Sequence, residues 1–239
     1  MKQASRSFYR INLGITKCYL LKCSGGYLLI DTAYPKEYEK FVKAIDQLGI
    51  RLHNISYLLL THHHDDHAGF AARLVEQTGC TVIVHQNAIL YLSKGESEDT
   101  MKPVNRCINV VFSLFKRIHR EFRYSPLAIA ANSIVVSGDE FDLLDRTGIE
   151  GKILHTPGHS RDSISVVLSD GNAFVGDVAM NFLNFCGIGY RPIFIEDIEL
   201  VFESWHKLVE HGAETIYPAH GRPFSAKKLT RYGKDFTGK

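Results

Sequence analysis

The sequence predicts an α/β protein, a single domain over residues 1–239 built from two similar halves of mixed strands and helices. Short apolar runs of strand length recur, each leading to a polar residue beside a turn residue. Between them lie segments whose apolar residues return at helical spacing. No stretch rich in Gly, Ser or Pro divides the halves, and 239 residues at 45% apolar content suffice for one substantial core.

Taken in order, residues 19–23 and 27–30 are apolar runs flanking Ser24-Gly25-Gly26, a hairpin signal. Within 37–48, Tyr38, Phe41, Val42, Ile45 and Leu48 fall at helical spacing. Residues 55–60 read as a short buried strand, 68–75 as a helix start, 81–85 as a strand and 87–92 as a short helix. Two strands are expected around Gly138-Asp139 within 133–144. A hairpin through Asp170-Gly171 joins 163–168 to 173–176. The amphipathic stretch 195–211 then leads to a last strand at 215–217.

Composition excludes several classes. A net charge of +2 gives no field that would favour nucleic acid or a charged membrane. No segment approaches the roughly 20 apolar residues that span a bilayer. Residues 1–6 lack the long apolar segment of a secretory signal. The five cysteines (Cys18, Cys23, Cys80, Cys107 and Cys186) are an odd number without a Cys-x-x-Cys pair, which reads as a reduced, cytoplasmic setting.

The chemistry concentrates in the heptad Thr61-His62-His63-His64-Asp65-Asp66-His67. The spacing His62-x-His64-x-Asp66-His67 puts four potential metal ligands on one strand-to-helix loop. Imidazoles and carboxylates packed this densely repel when charged and waste burial when neutral, unless a cation holds them. Three more candidates stand at the exits of later apolar runs: His159 in Thr156-Pro157-Gly158-His159, Asp177 after Val175-Gly176, and His220 in Pro218-Ala219-His220-Gly221. The repetition argues for one convergent site. His63 and Asp65 are expected outside it, near the ligands or in solvent, and His155 is expected to cap a strand. His53, His85, His119, His206 and His211 have no ligand spacing and read as structural or surface residues.

This set, in this order, resembles the metallo-β-lactamase superfamily. The resemblance covers the chain from the first hairpin to His220 and implies a four-layer αβ/βα sandwich. It also implies a metal pair between the sheets: His62, His64 and His159 for one ion, Asp66, His67 and His220 for the other, and Asp177 bridging. Asp31 matches a structural aspartate of the family that supports the metal loop and is not a ligand. The expected cofactor is two divalent ions, zinc first, with iron and manganese also compatible with mixed His/Asp ligands. The expected reaction is attack by a metal-bridged hydroxide on a small ester, thioester or lactone, with Asp66 moving the proton. An aspartate at position 177 sets the chain apart from the classical β-lactamases. A mononuclear iron persulfide dioxygenase and a non-catalytic, metal-stabilised binding protein are the alternative readings.

Residues 95–132 are longer than a tight connection between the halves and read as a helical insert. Along 107–122, Ile108, Val111, Phe112, Phe115, Ile118 and Phe122 share one face. Three readings stand: packing on the sandwich, a substrate lid, or a contact with a second copy or a lipid surface. A second candidate wall follows Asp177, where Met180, Phe182, Phe185 and Tyr190 either line a pocket or enter the core. With Phe115 they favour a small-molecule substrate carrying an apolar part, with no nucleic acid partner and with a homodimer as one arrangement.

Overall fold

The computed structural model describes residues 8–97, 101–116 and 122–234. The first sheet begins with β1 (Phe8–Leu13), β2 (Thr16–Cys23) and β3 (Gly26–Ile30), an antiparallel meander. It continues with β4 (Ile55–Leu59) and β5 (Thr81–His85), both parallel to their neighbours. The short strand β6 (Lys102–Pro103) stands apart, and β7 (Ile134–Val136) completes the first sheet in the order β1-β2-β3-β4-β5-β7.

The second sheet takes β8 (Glu140–Asp142), β9 (Gly151–His155), β10 (Ile164–Leu168) and β11 (Asn172–Phe174) as antiparallel neighbours. After β12 (Phe194–Ile195), which pairs with β6, come β13 (Thr215–Tyr217) and β14 (Phe224–Ser225). β13 lies parallel to β11, and β14 turns back along it. The two strands expected around Gly138-Asp139 both form, yet they belong to different sheets, so the crossover between the halves falls there. The chain also continues past 217, where the last strand was expected, into β14 and a final helix.

The helices are α1 (Tyr38–Asp46), α2 (Asp65–Ala68), α3 (Ala71–Thr78), α4 (Ile89–Lys94), α5 (Arg106–Lys116), α6 (Leu144–Thr147), α7 (Ile198–Glu210) and α8 (Lys227–Lys234). Burial explains the layering. Along β2 to β4, Leu20, Leu29 and Leu58 face α1 and α3, and join Phe41, Ile45 and Leu74 in an outer core. Their neighbours Tyr19, Leu21, Leu28, Ile30 and Leu59 face the second sheet, against Ile153, Ile164, Val166 and Phe174. The other face of the second sheet, through Leu154, Val167 and Ile216, meets Val201, Trp205 and Leu208 of α7 and Leu229 of α8. A strand covered on both faces needs apolar residues at successive positions, which is why these strands read as continuous apolar runs. The result is helix, sheet, sheet, helix: an αβ/βα sandwich.

Packing also holds the loops at the sheet edge. The Ile164 amide donates to the Thr61 carbonyl at 2.8 Å, and the Lys17 amide donates to Ala219 at 3.0 Å, so loops from both sheets meet at one end. Buried Trp205 donates from Nε1 to the Val178 carbonyl at 2.8 Å, anchoring the segment just after Asp177. Trp205→Phe should leave that carbonyl buried without its donor and lower stability by about 1–3 kcal/mol. Urea unfolding measures this, and a loss below about 0.5 kcal/mol would show the anchor to be unimportant.

Candidate metal centre

Each candidate ligand leaves the carboxyl end of a strand. β4 runs through Leu60 and Thr61 into His62, His63 and His64, and α2 then carries Asp66 and His67. His159 lies in the turn between β9 and β10, Asp177 follows β11, and His220 follows β13. Two glycines let these loops converge. Gly176 adopts φ +50°, and a Cβ there would lie 2.4 Å from the Thr61 hydroxyl. Gly158 adopts φ +129°, and a Cβ there would lie 2.4 Å from the Val201 amide at the start of α7. Larger residues would push the Asp177 and His159 loops away from the centre.

Asp31 buttresses the ligand loop. Its Oδ1 accepts from the Thr61 amide at 2.7 Å, and Oδ2 accepts from the Thr61 hydroxyl at 2.7 Å and His67 Nδ1 at 2.9 Å. Asp31 stands at φ 59°, a left-handed conformation that costs about 1 kcal/mol in a residue with a Cβ. Similar partners orient the other rings. His159 Nδ1 donates to the Phe194 carbonyl at 2.9 Å, and His220 Nδ1 donates to the Ile15 carbonyl at 3.1 Å. His62 Nδ1 lies 3.2 Å from the Thr61 hydroxyl oxygen. With the proton held on Nδ1, each ring presents its Nε2 lone pair to the centre.

The lone pairs face one another. His159 Nε2 is 3.2 Å from His62 Nε2 and 3.1 Å from His64 Nδ1. Tetrahedral zinc with bonds of about 2.0–2.1 Å separates adjacent ligand nitrogens by roughly 3.3 Å, so this trio has the spacing of one cation site. A second group combines Asp66, His67 and His220, with His220 Nε2 at 3.0 Å from Asp66 Oδ2. Asp177 stands between the groups. Its Oδ1 lies 3.4 Å from His67 Nε2 and 3.5 Å from His220 Nε2, and its Oδ2 lies 3.7 Å from His159 Nε2. Asp177 Oδ1 and His67 Nε2 are both buried without a hydrogen-bond partner. Buried polar atoms are rarely left so, and this pair fits coordination to a cation.

The electrostatics agree. Burial, reinforced by neighbouring imidazoles, pushes His62 and His64 well below the usual histidine range, and burial also lowers His159. These three are neutral donors. Burial opposes charge on His67 and His220 too, yet the surrounding carboxylates raise both, with Asp66 foremost for His67 and Asp177 for His220. Conversely, despite its burial, Asp177 is held far below the carboxylate range by His220 and His67. The carboxylate half of the centre demands positive charge.

The residues expected outside the ligand set have defined places. His63 is buried, stacks on Tyr91 with ring centroids 4.1 Å apart, and sits 3.0 Å from Asp162 Oδ1 through Nδ1. Asp65 is buried beside Ser97, and burial next to Asp66 pushes its carboxyl up to about 7. His155 does not stand alone at a strand end: it stacks on His85, ring centroids 4.1 Å apart. Neither pairing is readable from spacing.

A cavity of about 700 Å³ opens onto His64, Asp66, His159, Asp177 and His220. Its apolar walls include Tyr34, Ile108, Phe112, Phe182, Leu183 and Phe194. Of the wall residues expected after Asp177, only Phe182 lines it, with its ring 6.3 Å from that of His220. Met180 is fully buried against Ile108, Cys186 and Ile188. Phe185 is 82% exposed, and Tyr190 packs on Phe224 at 4.5 Å. The loop turns these side chains away because Leu183 and Tyr190 both adopt positive φ, at 58° and 67°. Phe115 lies on α5, but its side chain falls outside the described residues, as do residues 117–121 of the expected amphipathic stretch. Phe112, with Ile108, comes from the insert face for which a substrate lid was one reading, whereas Tyr34 and Phe194 were not anticipated, since nothing near them in sequence marks a site.

The profile of the Metallo-beta-lactamase superfamily matches residues 11–220. The chain belongs to that superfamily. The Metallo-beta-lactamase fold-containing protein ST1585 of Sulfurisphaera tokodaii is 28% identical over 193 residues, which cover 79% of this chain and 69% of that protein. Its crystal structure superposes with a TM-score of 0.66 over 98% of this chain and 87% of that chain, at 22% identity. The Lactamase-like protein GME11357 of Pestalotiopsis microspora is 27% identical over 210 residues, 87% of this chain and 49% of that protein. The human Acyl-coenzyme A thioesterase MBLAC2 is 28% identical over 181 residues, 75% of this chain and 61% of that protein. The chain thus spans between about half and seven-tenths of these superfamily relatives' lengths.

Asp31→Ala removes three hydrogen bonds from the ligand loop, one of them to His67, while leaving every candidate ligand in place. Metal affinity should fall about 10–100-fold. Competition against a chromogenic chelator measures it, and unchanged affinity would show that the loop holds its geometry without the buttress.

Proposed function

We propose that the protein is a metallo-hydrolase that cleaves a small ester, thioester or lactone bearing an apolar acyl part, using two divalent cations, zinc by preference. One observation carries the reading: three histidines, a second group of one aspartate and two histidines, and Asp177 between them gather at one place, where His64, Asp66, His159, Asp177 and His220 open onto one largely apolar cavity. The name of the human relative, an acyl-coenzyme A thioesterase, supports the thioester branch. His62, His64 and His159 would hold one ion, Asp66, His67 and His220 the other, and Asp177 both. Bound there, the pair would supply Lewis acidity for the acyl carbonyl and a water acidic enough to ionise near neutral pH.

The chain's own groups do the rest. Asp66 faces the cavity and is held by His220, so it is placed to orient a water and to carry a proton towards the leaving atom. Tyr34 lines the same cavity. Its burial, and the nearby charges of Asp66, Asp65 and Asp177, raise its hydroxyl far above the tyrosine range, so it stays protonated as a donor. Phe112, Phe182 and Phe194 exclude water from the acyl part.

The test is a panel of p-nitrophenyl esters, acyl thioesters and lactones with the metal-loaded protein. Hydrolysis should vanish with a chelator and return with zinc. Asp66→Asn should lower kcat by about 10²–10⁴-fold with a smaller change in KM. Oxygen uptake with a persulfide, in place of hydrolysis, would contradict the proposal.

A further inference from the structure

Five free cysteines were expected, but the structure pairs Cys107 with Cys186 across 79 positions, their Cα atoms 5.6 Å apart, leaving Cys18, Cys23 and Cys80 as free thiols. We infer that this disulfide clamps the acyl-side wall of the cavity and thereby determines which acyl parts the site accepts, an inference that rests on reading the cavity as the substrate site. Cys107 lies on the first turn of α5, immediately before Ile108, Val111 and Phe112 of the wall. Cys186 follows Phe182 and Leu183, which line the cavity from the other half of the chain.

The remaining ties between these segments are slight. Among the described residues, β6 and β12 are two residues each, extended by one hydrogen bond from the Val104 amide to the Ile193 carbonyl at 2.9 Å. Asn105 links the segments through Nδ2, which donates to the Cys186 carbonyl at 2.9 Å, while its Oδ1 accepts from the Ile108 amide at 3.0 Å. Ile108, Met180, Cys186 and Ile188 form a small apolar cluster beneath. The outward side of α5 carries Val110 and Leu114, both more than half exposed, so the helix is not pressed down from outside there. The covalent bond is therefore the tie that fixes the register of the wall.

The wall also touches the metal centre. The Phe112 ring meets that of Phe194 edge to face at 4.3 Å, and the Phe194 carbonyl holds His159 Nδ1. Loosening α5 takes the Phe112 ring off the Phe194 side chain, while the β6–β12 pairing keeps the Phe194 backbone, and its carbonyl on His159, in place. Short acyl groups, held at the carbonyl alone, should be indifferent to this. Longer ones, which must lie along Phe112, should not. Cys107 and Cys186 are thus positioning residues for specificity.

The experiment uses the metal-loaded protein with its bond intact or opened by a phosphine. The phosphine breaks the S–S bond, gives two thiols and becomes the phosphine oxide, taking its oxygen from water. The other cysteines are already thiols, so only this bond changes, and metal content is checked before and after. A non-reducing peptide map should show the peptides of Cys107 and Cys186 linked. Opening the bond should raise KM for p-nitrophenyl octanoate about tenfold, with kcat and all constants for p-nitrophenyl acetate within about twofold. Cys107→Ser should reproduce the split without phosphine. Binding of parinaric acid should weaken by a similar factor whether or not any ester is turned over, which separates this inference from the hydrolase reading. Unlinked peptides, equal losses on both esters, or unchanged octanoate KM and parinaric acid affinity would each overturn it.

Discussion

The constraint on which this structure depends is electrostatic. Seven imidazole and carboxylate side chains meet at one end of the sandwich, and the ion pairs made there by Asp66 and Asp177 among the described residues are all with histidines. Neutral histidine lone pairs face one another on one side, and carboxylates demand positive charge on the other. Asp177 Oδ1 and His67 Nε2 are left buried without a hydrogen-bond partner. Cations between them would be bonded by the neutral imidazoles and by the carboxylates alike, and the loops have the lengths and glycines that this convergence requires.

Much of the architecture serves to deliver those side chains without letting them adjust. The strands are buried on both faces, so their carboxyl ends are fixed by packing, and the ligands begin within a few residues of those ends. Gly176 and Gly158 remove the side chains that would separate the loops. Asp31 ties Thr61 to His67 and so links the strand end to α2. The Ile164 amide on the Thr61 carbonyl then binds the first sheet's ligand loop to the second sheet. The site is therefore assembled from both sheets and tied to the core between them.

The sequence made the strand and helix runs and the ligand cluster legible because both are local signals, while the layering of the two halves was implied by the family resemblance. Strand-length apolar runs report burial on both faces, and His62-x-His64-x-Asp66-His67 reports its chemistry within six positions. The acyl-side wall was legible only in part. Phe112 and Phe194 meet across 82 positions, and His63 meets Asp162 across 99, so no spacing announces either pair. Met180 and Tyr190 were equally plausible as wall or core. What decided between them was the loop's direction, set by left-handed residues at Leu183 and Tyr190 that the sequence does not mark. The Cys107–Cys186 pairing was hidden for the same reason: an odd count of dispersed cysteines carries no connectivity.

The proposed two-cation centre is open to measurement. Elemental analysis of freshly purified protein, made without added metal and normalised to chain concentration, tests it most directly. The account predicts about two divalent ions per chain, chiefly zinc, falling to about one in Asp66→Ala, which takes a ligand from one group only. One iron per chain, with no zinc and no change in Asp66→Ala, would contradict it and point to oxygen chemistry at the trio His62, His159 and Asp177.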